Sequence, residues 1–207
     1  AGKRSRLSWI EKERNVDVFD VKRDVVQTLV EAGYNSDKFF IDSETPNYYH
    51  PGKSGRLFLN RGKDQIAAYF GEIHPKVLKE IDVKGPAVAF TIWPNSIPVP
   101  RNKKATRLAL DLVDLQAVER DFAFIVDNKV GASDLVIAAT GADKHLIQDV
   151  RVFDEFVGKE LDTGKKSIAL TVRLQPTEKT LKDAEIEDLS KKIIEKVKNA
   201  TGGVLRT

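Results

Sequence analysis

The sequence predicts an α+β protein built in two parts: an antiparallel sheet backed by helices, then a smaller βαββαβ unit. Three observations carry this prediction. The first part shows one helical repeat of apolar residues, followed by short strand-like stretches that proline and glycine interrupt. The second part alternates strand and helix patterns in a regular order. Between them lies a stretch rich in proline and basic residues, which is typical of a domain boundary.

Hydrophobic periodicity defines the elements of the first part. Between Val16 and Ala32 apolar residues recur at helical spacing, and Gly33 follows where a helix is expected to end. Pro75 is expected to open a short helix over Lys76–Ile81, because proline is tolerated in a first helical turn. The predicted strands are Phe39–Ile41, Tyr48-Tyr49, Arg56–Leu59, Ile66–Phe70 and Ala87–Trp93, with a break at Pro51-Gly52.

A linker is predicted at Pro94–Arg107. This segment holds three prolines and then four basic residues, with little apolar content between them. We therefore place a boundary near residue 105, which gives domains 1–104 and 105–207.

The clearest strand pattern of the second part is Ser167–Leu174, where apolar residues alternate strictly with Ser167, Ala169, Thr171 and Arg173. A half-buried strand requires this alternation. The predicted elements are strand Val118–Val126, helix Ala132–Ala139, strand Leu146–Val157, strand Ser167–Leu174, a helix from about Asp183 to Ala200 and strand Val204–Arg206. This βαββαβ order is the ferredoxin-like split unit, in which two helices cover one sheet face and leave the other open.

Composition limits the kind of protein. Hydrophobic residues make up 41% and charged residues 31%, an ordinary globular balance. The absence of cysteine excludes a disulfide framework and thiolate chemistry, which fits a reducing cytoplasm. No apolar run approaches the ~20 residues that span a bilayer. No apolar stretch follows Ala1–Arg4, so we predict no signal peptide and expect the chain to begin inside a longer protein.

Charge is unevenly distributed along the chain. Residues 1–104 carry 18 Lys+Arg against 13 Asp+Glu, a net charge of +5, whereas residues 105–207 carry 16 against 18, a net charge of −2. The second part therefore cannot bind nucleic acid as a general polycation. Any RNA binding there is expected to use a local surface.

A series of short motifs, in order and at consistent spacing, runs from about Val16 to the end of the chain. The motifs are Tyr48–Ser54, Tyr69–Pro75, Gly85–Phe90, Arg120–Phe124, Val152–Gly158, Gly164–Ala169, Leu174–Pro176, Glu178–Leu181 and Leu205-Arg206. With them the chain resembles the C-terminal part of bacterial phenylalanyl-tRNA synthetase β subunits. It resembles the end of their catalytically silent, class II synthetase-like domain, followed by their ferredoxin-fold anticodon-binding domain.

The resemblance implies a subunit of an α2β2 ligase that charges tRNA(Phe) with phenylalanine in an ATP-dependent reaction. In that family the α subunit holds phenylalanine, ATP with Mg²⁺, and the acceptor end of the tRNA. This chain would then carry no catalytic residue, cofactor or metal of its own. Its partners would be the anticodon stem-loop of tRNA(Phe) and the α subunit, in the cytoplasm and away from any membrane.

The family's anticodon contacts correspond to three residues of this chain: Asp154, Phe156 and Ser167. A carboxylate can accept hydrogen bonds from base amino groups, and an aromatic ring can stack on an unpaired base. The family often has tyrosine at the position of Phe156, so this chain keeps the stacking surface and lacks a hydroxyl group. The alternative for Asp154 is a turn or strand-end cap.

Strand alternation and charge add further candidates. Asp121 and Ala123 are expected on the open face, because the neighbouring aromatic row of their strand looks buried. Lys165 and Lys166 are candidates for phosphate contacts, with solvated surface as the alternative. The faces of strand Leu146–Val157 are ambiguous, since a bulge near Phe153 would change which residues are open.

Two other groups have competing interpretations. His50, Glu72 and His74 would suit acid–base chemistry or zinc, but their spacing matches no helical zinc motif, and we favour histidines that order turns beside proline. Aromatic residues of the first part would suit base stacking, although a core or subunit-interface role is the more common use. These aromatic residues are Phe39, Phe40, Tyr48 and Tyr49.

Alternative functions remain at this stage. The chain would also suit a fragment of an organellar single-chain phenylalanyl-tRNA synthetase or a stand-alone RNA-binding protein. An enzyme contained in the first hundred or so residues is disfavoured, because they show no complete triad, phosphate loop or convincing metal set.

Overall fold

The structure, a computed structural model, describes residues 1–5, 7–34, 39–60, 62, 65–97, 113–158 and 161–206. The chain divides into two compact units, Ala1–Arg107 and Leu108–Thr207. The boundary predicted near residue 105 and most of the predicted linker lie outside the described residues, and Pro94–Ser96 at the start of that linker forms a 3-10 turn.

Unit 1 is an antiparallel sheet with one long helix packed on it. Its elements are α1 (Val18–Glu31), β1 (Phe40–Asp42), β2 (Tyr49–Phe58), β3 (Ile66–Ile73), α2 (Pro75–Glu80) and β4 (Val88–Ile92). The strands pair in chain order, β1-β2-β3-β4, and every pair is antiparallel. The apolar stripe of α1 is Val21, Val25 and Leu29, and it packs into the same core as Leu57 and Phe70. This arrangement confirms the predicted helix-backed antiparallel sheet.

The start of α1 is fixed by charged side chains. Asp17 caps the helix by accepting hydrogen bonds from the backbone N–H groups of Phe19 and Asp20, and Asp20 accepts in return from the Asp17 N–H. Asp20 is buried and also binds Arg14 through two hydrogen bonds of 2.7 Å each, while Arg4 Nε lies 3.1 Å away. These contacts attach the first residues of the chain to α1.

The second strand corrects the sequence prediction. Two short strands, Tyr48-Tyr49 and Arg56–Leu59, were expected with a break at Pro51-Gly52, but the structure has one strand, Tyr49–Phe58. The pairing passes from Tyr49 opposite Ile73 to Ser54 opposite Gly71, so the extra residues of β2 form a bulge. Because Pro51 falls in that bulge, the strand continues past a residue that cannot donate a ladder hydrogen bond.

Unit 2 has the predicted βαββαβ order. Its elements are β5 (Val118–Asp127), α3 (Ala132–Thr140), β6 (Ile147–Phe156), β7 (Lys165–Leu174), α4 (Asp183–Thr201) and β8 (Val204–Leu205). The strands lie side by side as β6-β7-β5-β8, and every neighbouring pair is antiparallel. This is the ferredoxin-like arrangement, which confirms the predicted α+β fold class.

Both helices of unit 2 pack on one face of its sheet. The core joins alternate residues of the strands, such as Phe124 and Leu170, to Leu135 of α3 and to Ile193 and Val197 of α4. At the end of α4, Gly202 adopts the left-handed conformation with φ of 70°, which ends the helix before β8. The helices thus leave the second sheet face of unit 2 uncovered by any described element of that unit.

Candidate nucleic-acid interface

The open face of unit 2 is defined by its strand register. Residues directly opposite one another on neighbouring strands form rows across the sheet, and alternate rows point away from the helices. Five such rows lie on the open face: Val204–Ile125–Ser167–Phe156, Arg206–Ala123–Ala169–Asp154, Asp121–Thr171–Arg151, Glu119–Arg173–Asp149 and, at the strand ends beyond the first of these, Asp127–Lys165. The first row is largely apolar, and charged residues lie on both sides of it.

A bulge in β6 brings Asp154 and Phe156 onto this face. Val152 lies opposite Leu170, and Asp154 lies opposite Ala169, so Phe153 is the additional residue. Without the bulge, Asp154 and Phe156 would share the helix-covered face with Val152. The bulge that the sequence left as a possibility is therefore present at the expected residue.

Phe156 is held by contacts at the end of its ring and over its face. A side-chain carbon at Gly158 would lie 2.4 Å from Cζ of Phe156, so this end of the ring abuts the glycine backbone. The guanidinium carbon of Arg206 lies over the ring, 5.6 Å from its centroid, which is a cation–π contact. The side chain remains 36% exposed. The ring therefore has a fixed position and keeps an accessible edge.

Ser167 is on the open face and yet is only 4% exposed. Its direct cross-strand neighbours are Phe156 and Ile125. Large side chains therefore flank Ser167 on both neighbouring strands. The sequence prediction placed Ser167 on the correct face and did not anticipate its burial.

The second row forms a shallow slot. Ala123 and Ala169 lie opposite each other in the two central strands, and Asp154 follows on the edge strand β6. Asp154 is exposed, whereas the two alanines are half-buried. Small side chains in the centre leave room for a flat group, with a carboxylate at the edge of the slot to accept hydrogen bonds.

The third and fourth rows are polar. Thr171 Oγ1 donates a hydrogen bond of 2.7 Å to Asp121 Oδ1, so this carboxylate is oriented within the sheet. Arg151 and Arg173 bring positive charge to the same face at positions beside Asp149 and Glu119. This end of the face therefore carries charges of both signs, together with hydrogen-bond donors and acceptors.

The two lysines of the motif do not lie together on the open face. Lys166 lies opposite the core residue Val126, and its ammonium group is 3.1 Å from Glu155 Oε1 on the helix-covered side. Lys165 donates a 2.7 Å hydrogen bond to Asp162, which lowers the pKa of that carboxyl. Adjacent strand residues point to opposite faces, so the prediction that both Lys165 and Lys166 contact phosphate at the open face is corrected for Lys166.

Arg206, Arg151 and Arg173 are residues of the open face that the sequence prediction of the site omitted. Strand alternation could have identified Arg206. Leu205 points toward the core, so its neighbours Val204 and Arg206 are expected on the open face. The sequence could not identify Arg151 in this way, because the bulge decides which residues of β6 lie on the open face.

In unit 1, the two histidines make hydrogen bonds that order the local backbone. His50 Nδ1 accepts from the Gly52 N–H at 3.1 Å, and His74 Nδ1 accepts from the Lys76 N–H at 3.1 Å. His74 is thereby the N-cap of α2, directly before Pro75. Glu72 pairs with Lys53 at 3.1 Å. These contacts support the structural interpretation of all three residues.

The aromatic residues of unit 1 divide by burial. Tyr49 is buried, and burial raises the pKa of its hydroxyl, with Thr91 as a hydrogen-bond partner that acts in the opposite direction. Tyr48 is exposed and its ring lies 4.8 Å from that of Tyr49. Phe39 and Phe40 are half-buried. Tyr49 therefore belongs to the packed interior of the unit.

The described part of the chain lacks a metal-binding cluster and a long apolar helix. Within those residues, no three His, Asp or Glu side chains come together as a metal-binding group. No helix among them is long and apolar enough to cross a membrane.

The fold of unit 2 defines a class of protein, the ferredoxin-like α+β domains, here with one sheet face left open by the helices. Residues 114–206 match the family model described as ferredoxin-fold anticodon binding domain. Residues 1–93 match the model described as phenylalanyl tRNA synthetase beta chain CLM domain. The chain belongs to the phenylalanyl-tRNA synthetase β family.

Curated relatives agree with both matches. The chain is 56% identical over 193 residues to a phenylalanine–tRNA ligase beta subunit of Ruegeria pomeroyi, an alignment that covers 93% of this chain and 24% of that protein. The corresponding protein of Cereibacter sphaeroides is 54% identical over 197 residues, or 93% of this chain and 24% of the relative. That of Paramagnetospirillum magneticum is 45% identical over 208 residues, covering 100% and 26%. The chain thus spans about a quarter of the length of these relatives.

Proposed function

We propose that this chain is the tRNA(Phe)-binding and assembly portion of a phenylalanine–tRNA ligase β subunit, which supports ATP-dependent charging of tRNA with phenylalanine in the cytoplasm. The proposal rests on one observation about the residues that match the anticodon-binding family. The residues that match the anticodon-binding family build an open sheet face that presents an aromatic ring and an exposed carboxylate at the end of one strand.

Phe156 and Asp154 have different roles in this proposal. The fixed ring of Phe156 stacks on an unpaired anticodon base, a contact worth about 1–3 kcal/mol in other single-strand complexes. Asp154 accepts hydrogen bonds from a base amino group, so it reports which base is present. Asp121, Ala123 and Ser167 shape the rest of the surface, and Lys165 contacts the phosphate backbone from the end of its strand.

The proposal assigns unit 1 to assembly with the α subunit of an α2β2 enzyme. Its match to the β-chain model favours this role over the organellar single-chain synthetase and over a stand-alone RNA-binding protein. ATP and Mg²⁺ act at the α subunit. The contribution of this chain in the proposal is to bind and orient the tRNA.

Two substitutions separate the proposed roles. Phe156→Ala is expected to weaken binding of the cognate anticodon stem-loop by about 1–3 kcal/mol. Asp154→Ala is expected to reduce the preference for the cognate anticodon over altered anticodons, because a base-edge acceptor is lost. Binding is measured by fluorescence anisotropy with labelled stem-loops.

Matched controls come from surfaces outside the open face. Phe19→Ala removes an aromatic side chain that is 73% exposed in unit 1, and Asp188→Ala removes a carboxylate from α4 on the helix-covered side. Both are expected to bind RNA as the wild-type chain does. Loss of affinity in the controls equal to that in the two test variants would contradict the proposed site.

A further inference from the structure

Arg206 and Phe156 come from opposite edges of the sheet, and their side chains meet over the open face. It follows β8, and its backbone N–H donates a 2.7 Å hydrogen bond to the Ala123 carbonyl, whereas Phe156 ends β6 at the opposite edge. With β5 and β7 between them, the two edge strands are about 14 Å apart, since neighbouring strands are about 4.8 Å apart. The guanidinium nevertheless lies 5.6 Å from the ring centroid. The side chains of Arg206 and Phe156 must therefore extend toward each other over the central strands.

This contact uses the surface on which a base would stack. The Cζ end of the Phe156 ring abuts Gly158, and the guanidinium lies over the ring face. A base that stacks on Phe156 therefore competes with Arg206 for the ring. Arginine suits both partners of such an exchange, because a planar guanidinium stacks on aromatic faces and also donates two parallel hydrogen bonds to phosphate.

We infer that Arg206 is an RNA-binding residue that exchanges partners. In the free protein its guanidinium covers Phe156. When RNA binds, an unpaired base takes the ring and the guanidinium moves to a neighbouring phosphate. This inference rests on the proposed function, because it takes the open face as the RNA site.

The exchange suits the net charge of unit 2. This unit lies in the part of the chain whose net charge is −2, so an arginine that is already beside Phe156 supplies positive charge where the phosphate backbone of a bound RNA would lie.

A nuclear magnetic resonance titration tests the exchange directly. In the free 207-residue chain, the δ-methylene protons of Arg206 are expected to show an upfield ring-current shift that Phe156→Ala abolishes. Addition of the cognate anticodon stem-loop is expected to remove this shift in the wild-type chain. A ring-current shift that persists unchanged in the saturated complex would overturn the exchange.

The salt dependence of binding gives a second readout. Arg206→Ala is expected to lose one contact with a phosphate of the single strand. The ratio of wild-type affinity to variant affinity should therefore fall about 2–3-fold as the salt concentration is raised from about 50 to 200 mM. Arg206→Lys keeps the charge and is expected to keep the wild-type salt slope. Arg120→Ala removes a cation from the helix-covered side of β5 and serves as the control. A wild-type salt slope in Arg206→Ala would overturn the phosphate contact.

Failure of the inference is distinguishable from failure of the proposed function. If the wild-type chain binds cognate and anticodon-swapped stem-loops equally, the proposed function fails. If it discriminates between them while the Arg206 signal stays at its free position, only the exchange fails.

Discussion

Gly158 and the ring of Phe156 are in direct contact: a side-chain carbon at position 158 would lie 2.4 Å from Cζ and 2.8 Å from Cε1 of the ring. Gly158→Ala must therefore displace the ring or the backbone that follows β6. We expect this variant to weaken binding of the anticodon stem-loop, with a loss no larger than that of Phe156→Ala, because the ring is moved and not removed. Fluorescence anisotropy measures this loss.

Gly52→Ala is the matched control for that substitution. The added carbon there would meet the His50 ring at 3.8 Å, which is an ordinary van der Waals distance, and it lies in unit 1. Wild-type RNA affinity in Gly158→Ala, together with an unshifted Phe156 resonance, would show that the ring does not depend on this glycine.

Asp20 is expected to stabilise unit 1 through its charge. Its carboxylate accepts two hydrogen bonds from Arg14, and this contact chiefly, with the Asp17 N–H and Arg4 in addition, holds the pKa of Asp20 well below its usual range. Asp20→Asn is expected to lower the free energy of unfolding of unit 1 by about 1.5–3 kcal/mol, the range for hydrogen bonds to charged groups. Urea unfolding at neutral pH measures the change.

The same group predicts an acid dependence. A carboxyl whose pKa is lowered in the folded state contributes stability above its unfolded pKa of about 3.9, and loses that contribution as the pH falls through and below this value. The stability difference between the wild-type chain and Asp20→Asn should therefore shrink as the pH is lowered from about 5 towards 2. A difference that stays constant over this range would show that the charge of Asp20 is not what stabilises the unit.

His74 is expected to act as a helix cap. Its Nδ1 accepts the Lys76 N–H at 3.1 Å, at the first turn of α2. His74→Ala should lower the stability of unit 1 by about 1 kcal/mol, whereas His74→Asn should retain most of it, because an asparagine side chain also caps helices well. Equal destabilisation by both variants, measured in urea, would argue against the capping role.

Leu170 tests whether the two units unfold separately. This side chain is fully buried in the core of unit 2. Leu170→Ala is expected to destabilise unit 2 by about 2–5 kcal/mol, through lost apolar contact and the cavity left behind. In calorimetry of the whole chain, only the transition of unit 2 should move to lower temperature. An equal shift of every transition would contradict independent units.

The sequence predicted the fold better than the details of the site. The strict alternation of Ser167–Leu174 and the βαββαβ order were sufficient for the sheet of unit 2 and its open face. Local patterns failed at Pro51, because a bulge lets the strand continue past a residue that usually breaks one.

Long-range contacts were beyond the reach of sequence patterns. The position of Arg206 over Phe156 joins two edge strands that are 50 residues apart in sequence and lie across the whole sheet. The burial of Ser167, on the open face, was also missed. Lys165 and Lys166 were both predicted as phosphate contacts because they are neighbours in one motif. Strand alternation places Lys166 on the other face, where it contacts Glu155.

The most direct test of the central claim is the affinity of the wild-type chain for two RNAs that differ only in the anticodon. One is the anticodon stem-loop of tRNA(Phe), and the other carries the same stem with the three anticodon bases exchanged. Since hydrogen bonds to base edges depend on the identity of those bases, whereas stacking tolerates any base, we expect the cognate stem-loop to bind at least about tenfold more tightly, or about 1.4 kcal/mol. Equal affinity for the two RNAs would contradict the assignment of the open face as an anticodon-reading surface.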